Sequence, residues 1–133
     1  MTLYLLDTNV ISDLIINNRR AVRRAAEHLV AGDDLGLCRP VHFEILRGLL
    51  WRSATGKLQT YRQRIVPLLT WVEMAEFDWE QAAQLWADSR RRGKQLGDPD
   101  LLLAALVGRE RAILVSSDAD FDRLPVTRED WRI

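Results

Sequence analysis

Near its start the chain reads LYLLDTN over residues 3–9, four apolar residues followed at once by three polar ones. An unbroken apolar run of this length is typical of a strand that is buried on both faces of a parallel sheet. Thr8 or Asn9 can cap a helix behind it, because the apolar residues that follow recur at helical spacing. The segment therefore predicts a buried strand, an abrupt end at Asp7 and an amphipathic helix.

The rest of the chain repeats this alternation of short apolar runs and amphipathic segments. The apolar runs predict further strands at 35–38, 71–74, 112–115 and near Val126. The segments between them predict helices up to Asn17 and over 19–31, 40–50, 57–66, 78–92 and 99–106, with Asp78 as a helix cap. Because strands that alternate with helices form parallel sheets, we expect one α/β domain over 1–133, with three α/β/α layers and a mostly parallel central sheet of about five strands.

Composition excludes several classes of protein. Hydrophobic residues make up 47% and charged residues 29%, as in ordinary globular proteins. With 19 basic and 19 acidic residues the formal net charge is zero, which argues against a polycation that coats nucleic acid. The start of the chain lacks a basic leader, and no apolar run approaches the about 18 residues of a membrane span, so we expect a cytoplasmic protein without a membrane contact.

Acidic residues follow the predicted strands. Asp7 ends the first strand, Asp118 comes just after the fourth, and Glu44 lies one turn into the helix after the second. Asp98 and Asp100 stand at the start of the helix over 99–106. Since ligands bind beyond the carboxyl ends of parallel strands, all five side chains could converge at one edge of the sheet. Asp98 could instead serve only as a helix cap.

Clustered carboxylates repel one another and stay ionised only when a cation joins them. No lysine is close to these residues in sequence. A set of oxygen ligands selects a hard cation, Mg²⁺ or Mn²⁺, and such an ion suits phosphate chemistry because it polarises a phosphoryl oxygen and activates water. The acidic residues therefore predict a site for metal-dependent phosphate chemistry.

Four motifs occur in a set order: DTN at 7–9, FEILRG at 43–48, an aspartate ahead of LLLAA at 100–105, and SSDADF at 116–121. This order resembles the PIN-domain ribonucleases, and specifically the VapC toxins of toxin–antitoxin pairs. The resemblance covers nearly the whole chain and includes the ending from Leu124 to Trp131. One departure is the serine at 116, where threonine is common in the family.

The resemblance implies both a site and an activity. Asp7, Glu44, Asp100 and Asp118 match the family's acidic quartet, which is catalytic and holds the metal. Thr8, Asn9 and Ser116 match supporting polar positions, and Asp98 matches an accessory acid. The implied activity is that of a Mg²⁺- or Mn²⁺-dependent endoribonuclease, which cuts structured RNA such as tRNA or rRNA to leave 5′-phosphate and 3′-hydroxyl ends.

The resemblance also implies partners. A VapC-like toxin forms a homodimer and is held by a VapB-type antitoxin, whose segment occupies the acidic cleft, often through a basic side chain. Operator DNA would then be bound by the antitoxin rather than directly by this chain. The residues themselves give only a hint, since Leu50 and Trp51 extend the apolar surface of the acidic helix, which suits an interface and a wide core face equally.

Two features and two alternative functions stay open. Arg90, Arg91, Arg92 and Lys94 form the densest basic patch and could bind RNA phosphates, or simply favour a helix C-terminus. The five tryptophans could stack on unpaired bases or fill the core. The alternative functions are a PIN nuclease that acts in RNA processing or on flap DNA, and a catalytically inert PIN-like interaction module.

Overall fold

The computed structural model describes residues 1–93 and 96–133, and its centre is a five-stranded parallel sheet. The strand order is β3-β2-β1-β4-β5, and every neighbouring pair is parallel. The predicted α/β class, with a parallel sheet of about five strands, is confirmed. The strands are β1 (Leu3–Leu6), β2 (Asp34–Leu37), β3 (Thr70–Trp71), β4 (Ile113–Val115) and β5 (Arg128–Glu129).

Helices connect the strands. They are α1 (Thr8–Ile15), α2 (Arg19–Val30), α3 (Arg39–Trp51), α4 (Thr55–Thr60), α5 (Glu76–Arg91) and α6 (Asp98–Glu110). A π-helical turn at Tyr61–Ile65 and a 3-10 turn at Val66–Leu68 continue α4, and another 3-10 turn spans Ala119–Arg123. Among the described helices, none is long and apolar enough to cross a membrane.

The central strand β1 is almost fully buried and sets the position of Asp7. Leu5 pairs with Gly36 of β2 on one side and with Leu114 of β4 on the other. The Asp7 amide then donates a hydrogen bond of 2.9 Å to the carbonyl of Val115, so the ladder between β1 and β4 extends to Asp7 itself. This bond fixes Asp7 at the carboxyl edge of the sheet.

Several predicted boundaries are wrong; the strand expected at 71–74, for example, is β3 at Thr70–Trp71. Three of the differences have a local cause. The cap of α1 is Asp7 rather than Thr8 or Asn9, because its carboxylate accepts a hydrogen bond from the Thr8 amide at 2.8 Å. Helix α5 begins at Glu76, and Asp78 lies inside its first turn. The last strand lies at Arg128–Glu129, beyond Val126, where the backbone pairs with β4.

Candidate metal centre

Asp7 is a buried carboxylate with its oxygens fixed by donors. Its side chain is 4% exposed. Oδ1 accepts from the Thr8 amide at 2.8 Å, and Oδ2 accepts from Ser116 Oγ at 2.7 Å and from Asn9 Nδ2 at 3.2 Å. These donors favour the ionised form, yet burial outweighs them and raises the pKa of Asp7, with a further contribution from the charge of Glu44.

Ser116 links the loops that follow β1 and β4. It is fully buried directly after β4, and its Oγ donates to Asp7 while it accepts from Asn9 Nδ2 at 3.2 Å and from the Asp118 amide at 3.0 Å. Asn9 Oδ1 in turn accepts from the Ser117 amide at 3.2 Å. Asn9 and Ser116 therefore both hydrogen-bond to the carboxylate of Asp7, and their supporting role stays a prediction.

Glu44 approaches Asp7 from the neighbouring helix α3. Its Oε1 accepts a hydrogen bond from the hydroxyl of Thr8. Its Oε2 lies 3.6 Å from Nη2 of Arg47, one helical turn further along α3. Thr8 thus ties Glu44 to the loop after β1, and Arg47 offsets part of its charge.

Asp100 completes a cluster of three carboxylates. Asp7, Glu44 and Asp100 each offer an oxygen atom, and these atoms all lie within 4.8 Å of one another. Asp100 stands in the first turn of α6, where burial and then the charges of Asp7 and Glu44 raise its pKa to about 7. Burial is the larger cause of this rise in pKa, and repulsion between the carboxylates adds to it.

The donor set of this cluster fits a hard divalent cation. All three side chains supply carboxylate oxygens, the ligands preferred by Mg²⁺ and Mn²⁺, and they come from three different elements around a shared point. A bound cation would remove the repulsion that raises the pKa of Asp100. The cluster suits both ions, so its ligands do not distinguish Mg²⁺ from Mn²⁺.

Asp118 flanks the cluster rather than joining it. Its oxygen is not part of the group that meets within 4.8 Å. Oδ1 instead accepts from the Asp120 amide at 2.9 Å and so caps the 3-10 turn at Ala119–Arg123. Its charge is close enough to raise the pKa of both Asp7 and Asp100. A ligand role for Asp118 therefore stays a prediction.

The other predicted residues lie further out. Asp98 is the first residue of α6 and is exposed, and its side chain lines a groove beside the cluster. Arg90 lies over the ring of Trp86 at 4.5 Å, and Arg91 pairs with Asp88 at 3.2 Å. Arg92 is exposed after the end of α5, and Lys94 lies outside the described residues.

Sequence reasoning missed Arg47 and the groove that it borders. We call this the α3–α6 groove: it has a volume of about 560 Å³ and lies between α3 and the start of α6. The available signal was the spacing, because Arg47 follows Phe43 by four residues and Glu44 by three. The groove is lined by Arg39, Pro40, Phe43, Arg47, Met74, Trp79, Gly97, Asp98, Pro99 and Leu102.

Comparisons with known proteins show a shared family and a shared fold. The model of the PIN domain family matches residues 4–126. DNA-bound VapBC from Salmonella typhimurium has a TM-score of 0.84 at 20% identity, covering 98% of this chain and 99% of that chain. VapBC2 from Rickettsia felis, bound to a DNA fragment from the promoter of VapBC2, has a TM-score of 0.80 at 21% identity. The match covers 98% of this chain and 99% of that chain.

A third structure is known for its target. Mycobacterium tuberculosis VapC20, a Sarcin-Ricin loop cleaving toxin, has a TM-score of 0.68 at 16% identity, covering 93% of this chain and 96% of that chain. At these identities the likeness is one of fold. No curated protein sequence matched the chain.

Proposed function

Because the chain belongs to the PIN domain family, as its motifs predicted, we propose that it is the toxin of a type II toxin–antitoxin pair. In this role it is a metal-dependent endoribonuclease that leaves 5′-phosphate and 3′-hydroxyl ends. The observation that carries the proposal is the meeting of Asp7, Glu44 and Asp100 within 4.8 Å at the carboxyl edge of a parallel sheet.

Asp7, Glu44 and Asp100 are the residues that would hold the metal, with Asp118 beside them as the fourth acid. When bound, Mg²⁺ or Mn²⁺ supplies a Lewis acid for the phosphoryl oxygen and lowers the pKa of water. Asp100, whose pKa of about 7 leaves it partly protonated at neutral pH, would hold the cation in its ionised form. Glu44 would help to hold the cation through water, or would orient the water that attacks phosphorus.

The supporting residues hold the carboxylates in place. Ser116 and Asn9 direct hydrogen bonds at one oxygen of Asp7, and the Thr8 amide binds the other. The Thr8 hydroxyl orients Glu44. Such outer contacts fix the direction of each metal ligand, and their loss commonly lowers metal affinity or activity about 10- to 100-fold.

The substrate that we propose is structured RNA such as tRNA or rRNA. Support comes from the fold likeness to a toxin that cleaves the Sarcin-Ricin loop. The exposed arginines 90–92 at the end of α5 offer contacts for RNA phosphates. A stem-loop would present its unpaired nucleotides to the acidic edge of the sheet.

The partners that we propose are a VapB-type antitoxin and a second copy of the chain. The structures of similar fold include VapBC complexes bound to DNA, and we assign DNA contact in such a complex to the antitoxin. A basic antitoxin side chain would complement the three carboxylates. Leu50 and Trp51 are exposed at the end of α3, and such apolar surface suits contact between copies.

The proposal is tested by incubating the protein with total cellular RNA in Mg²⁺, in Mn²⁺ and with a chelator. Asp100→Asn is the inactive variant, and Asp34→Asn is the matched control because Asp34 is an exposed aspartate at the start of β2. We expect discrete fragments with 5′-phosphate ends from the wild type and the control, and none from Asp100→Asn or with the chelator. Fragments that persist in chelator would contradict metal dependence, and the absence of cleavage under all conditions would favour an interaction module.

A further inference from the structure

The α3–α6 groove is lined by residues of the two helices that also carry Glu44 and Asp100, α3 and α6. Phe43 and Arg47 of α3 flank Glu44, and Pro99 of α6 precedes Asp100. Arg47 links the two sites directly, since its guanidinium is 3.6 Å from Glu44. A ligand in the groove that contacts Arg47 therefore lies close to Glu44.

The walls of the groove combine aromatic rings with guanidinium groups. Phe43 on α3 is 58% exposed, and Trp79 on α5, which also lines the groove, is 56% exposed. Arg47 lies over the ring of Phe43 at 5.3 Å, and Arg39 borders the same wall one turn earlier. Exposed aromatic rings beside arginines are the composition of sites that stack nucleic-acid bases and bind the adjoining phosphates.

We propose that Phe43, Arg47 and Trp79 form a subsite for one unpaired nucleotide of the RNA, next to the phosphate that is cleaved. The base stacks on the two rings, and the phosphate binds the guanidinium of Arg47. This inference rests on the proposed function and specifies how the substrate is held. The volume of about 560 Å³ lies in the range of about 300–1,000 Å³ that is usual for small-ligand sites.

Charge favours a nucleotide over a basic peptide in this groove. Arg39 and Arg47 line the α3 wall, where Arg39 pairs with Glu73 at 3.1 Å and Arg47 with Glu44 at 3.6 Å. Both guanidinium groups belong to side chains that are more than half exposed, so each can also contact a phosphate. Asp98 lies on the opposite wall and places the phosphate at the Arg47 side. Arg47 is also free to turn toward RNA once a cation takes over the charge of Glu44, because 56% of its side chain is exposed.

The test measures binding of a fluorescein-labelled 12-nucleotide oligoadenylate RNA by anisotropy in an Asp100→Asn background, which keeps the RNA intact. We expect Phe43→Leu and Trp79→Leu each to weaken binding about tenfold because base stacking is lost, while Phe43→Tyr and Trp79→Phe stay within about twofold. Phe77→Leu is the matched control, since Phe77 is 57% exposed on α5 but lines no part of the groove.

A separate measurement, the salt dependence of RNA binding, tests the role of Arg47. Arg47→Met is expected to lower the slope of log affinity against log salt concentration by about 0.7, the value for one phosphate contact to a single strand, and Arg47→Lys to retain the slope. Arg19→Met, at an exposed position at the start of α2, should leave it unchanged.

Three results would overturn the subsite. The first is unchanged affinity in Phe43→Leu and Trp79→Leu. The second is a loss of RNA binding that follows a change in oligomeric state by light scattering, which would make the groove an interface between copies. The third is binding of a basic peptide in the groove that the RNA does not compete with. If the wild type shows no metal-dependent cleavage, both the proposed function and the subsite fail. If the wild type cleaves RNA and the groove variants bind RNA normally, only the subsite fails.

Discussion

Asp7 carries a buried charge that depends on a few donors. Ser116 Oγ gives its Oδ2 the shortest of these hydrogen bonds, at 2.7 Å, inside a fully buried site. Charge-assisted hydrogen bonds of this kind are stronger than those between neutral groups. The position and ionisation of Asp7 therefore rest largely on one hydroxyl group.

We expect Ser116→Ala to lower the rate of RNA cleavage about 10- to 100-fold, because Asp7 loses the donor that orients it. Ser116→Thr keeps the hydroxyl and should retain most of the activity. The control is Ser117→Ala, at a half-buried position next in the chain. Cleavage rates are compared after thermal melting shows that each variant is folded, and equal rates in Ser116→Ala and Ser117→Ala would contradict this role.

Asp100 makes the metal-free protein sensitive to pH. Burial and neighbouring carboxylates raise its pKa to about 7 from an ordinary value of 3.8. Between these two values the folded protein binds the proton more tightly than the unfolded chain, so stability falls as the pH rises through this window. The stabilisation is fully present below about pH 4 and is lost above about pH 7.

The expected result is that the gain in stability of Asp100→Asn over the wild type in chelator is larger at pH 8 than at pH 5, by about 1–3 kcal/mol. Urea denaturation at the two pH values measures the difference. Asp34→Asn, which changes an exposed aspartate, should show no such pH-dependent gain. Added Mg²⁺ should reverse the order of stability, and a gain that is the same at both pH values would argue against charge repulsion as its cause.

Much of the site could be predicted from single residues. Asp7, Glu44 and Asp100 were expected to converge because each follows a parallel strand or begins a helix at the same edge, and the structure brings them together. Arg47 was missed because its contact with Glu44 depends on a side-chain direction across one helical turn. Asp118 has the expected place in the chain, but its hydrogen bond to the Asp120 amide turns it toward a local cap.

At the scale of the elements, whether a segment forms a helix or a strand was predictable, but the residues at which it begins and ends were less so. The start of α5 at Glu76 follows from a tertiary contact, because Asp78 is fully buried and its Oδ1 lies 2.8 Å from Nε of Arg109 on α6. Asp78 also accepts from the Ala75 amide at 2.7 Å. Neither partner is evident from the local sequence, which shows only an aspartate ahead of an apolar stripe.

The strand β2 depends on a glycine at its centre. A Cβ atom on Gly36 would lie 2.9 Å from Leu5 Cδ2 and 3.0 Å from Val72 Cγ2, both in the core. We expect Gly36→Ala to destabilise the protein by about 1–3 kcal/mol, because overpacking forces neighbouring side chains to move. Urea denaturation measures the loss.

Gly56 provides the comparison for Gly36. It lies in the short helix α4, and nothing lies within 4 Å of its added Cβ. Gly56→Ala should leave stability unchanged or raise it, since alanine favours a helix by up to about 1 kcal/mol. If both substitutions cost the same, close packing against Leu5 is not the reason for glycine at position 36.

At the scale of the whole molecule, the end of the chain closes the core. Trp131 is 1% exposed, and its Nε1 donates to Glu129 Oε1 at 2.7 Å. Its ring stacks on His28 of α2 at 5.5 Å, and Arg132 pairs with the buried Asp13 of α1 at 2.8 Å. The last residues therefore join β5 to the first two helices.

We expect Trp131→Ala to cost about 3–5 kcal/mol of folding free energy, because it leaves a large cavity in the core. Trp51→Ala is the matched control, since Trp51 is 88% exposed at the end of α3, and its effect should stay within about 0.5 kcal/mol. Both are measured by chemical denaturation of the full chain. A small cost at Trp131 would mean that the tail detaches without loss of the core.

The parallel α/β architecture was predictable because the strands alternate with helices from β1 onward. The two edge strands were harder to locate. β3 and β5 have only two residues each, and their limits are set by the register with β2 and β4, as in the pair of Leu114 with Arg128. A pattern in the local sequence carries no information on such a register, which explains why the last strand was expected near Val126.

Calorimetric titration with Mn²⁺ at pH 7 shows whether Asp7, Glu44 and Asp100 hold a divalent cation. We expect saturable binding to the wild type and to Asp34→Asn, with binding to Asp100→Asn weakened at least about tenfold. We also expect proton release on binding to the wild type, because Asp100 is partly protonated at this pH. Equal affinity in the wild type and Asp100→Asn would contradict the claim.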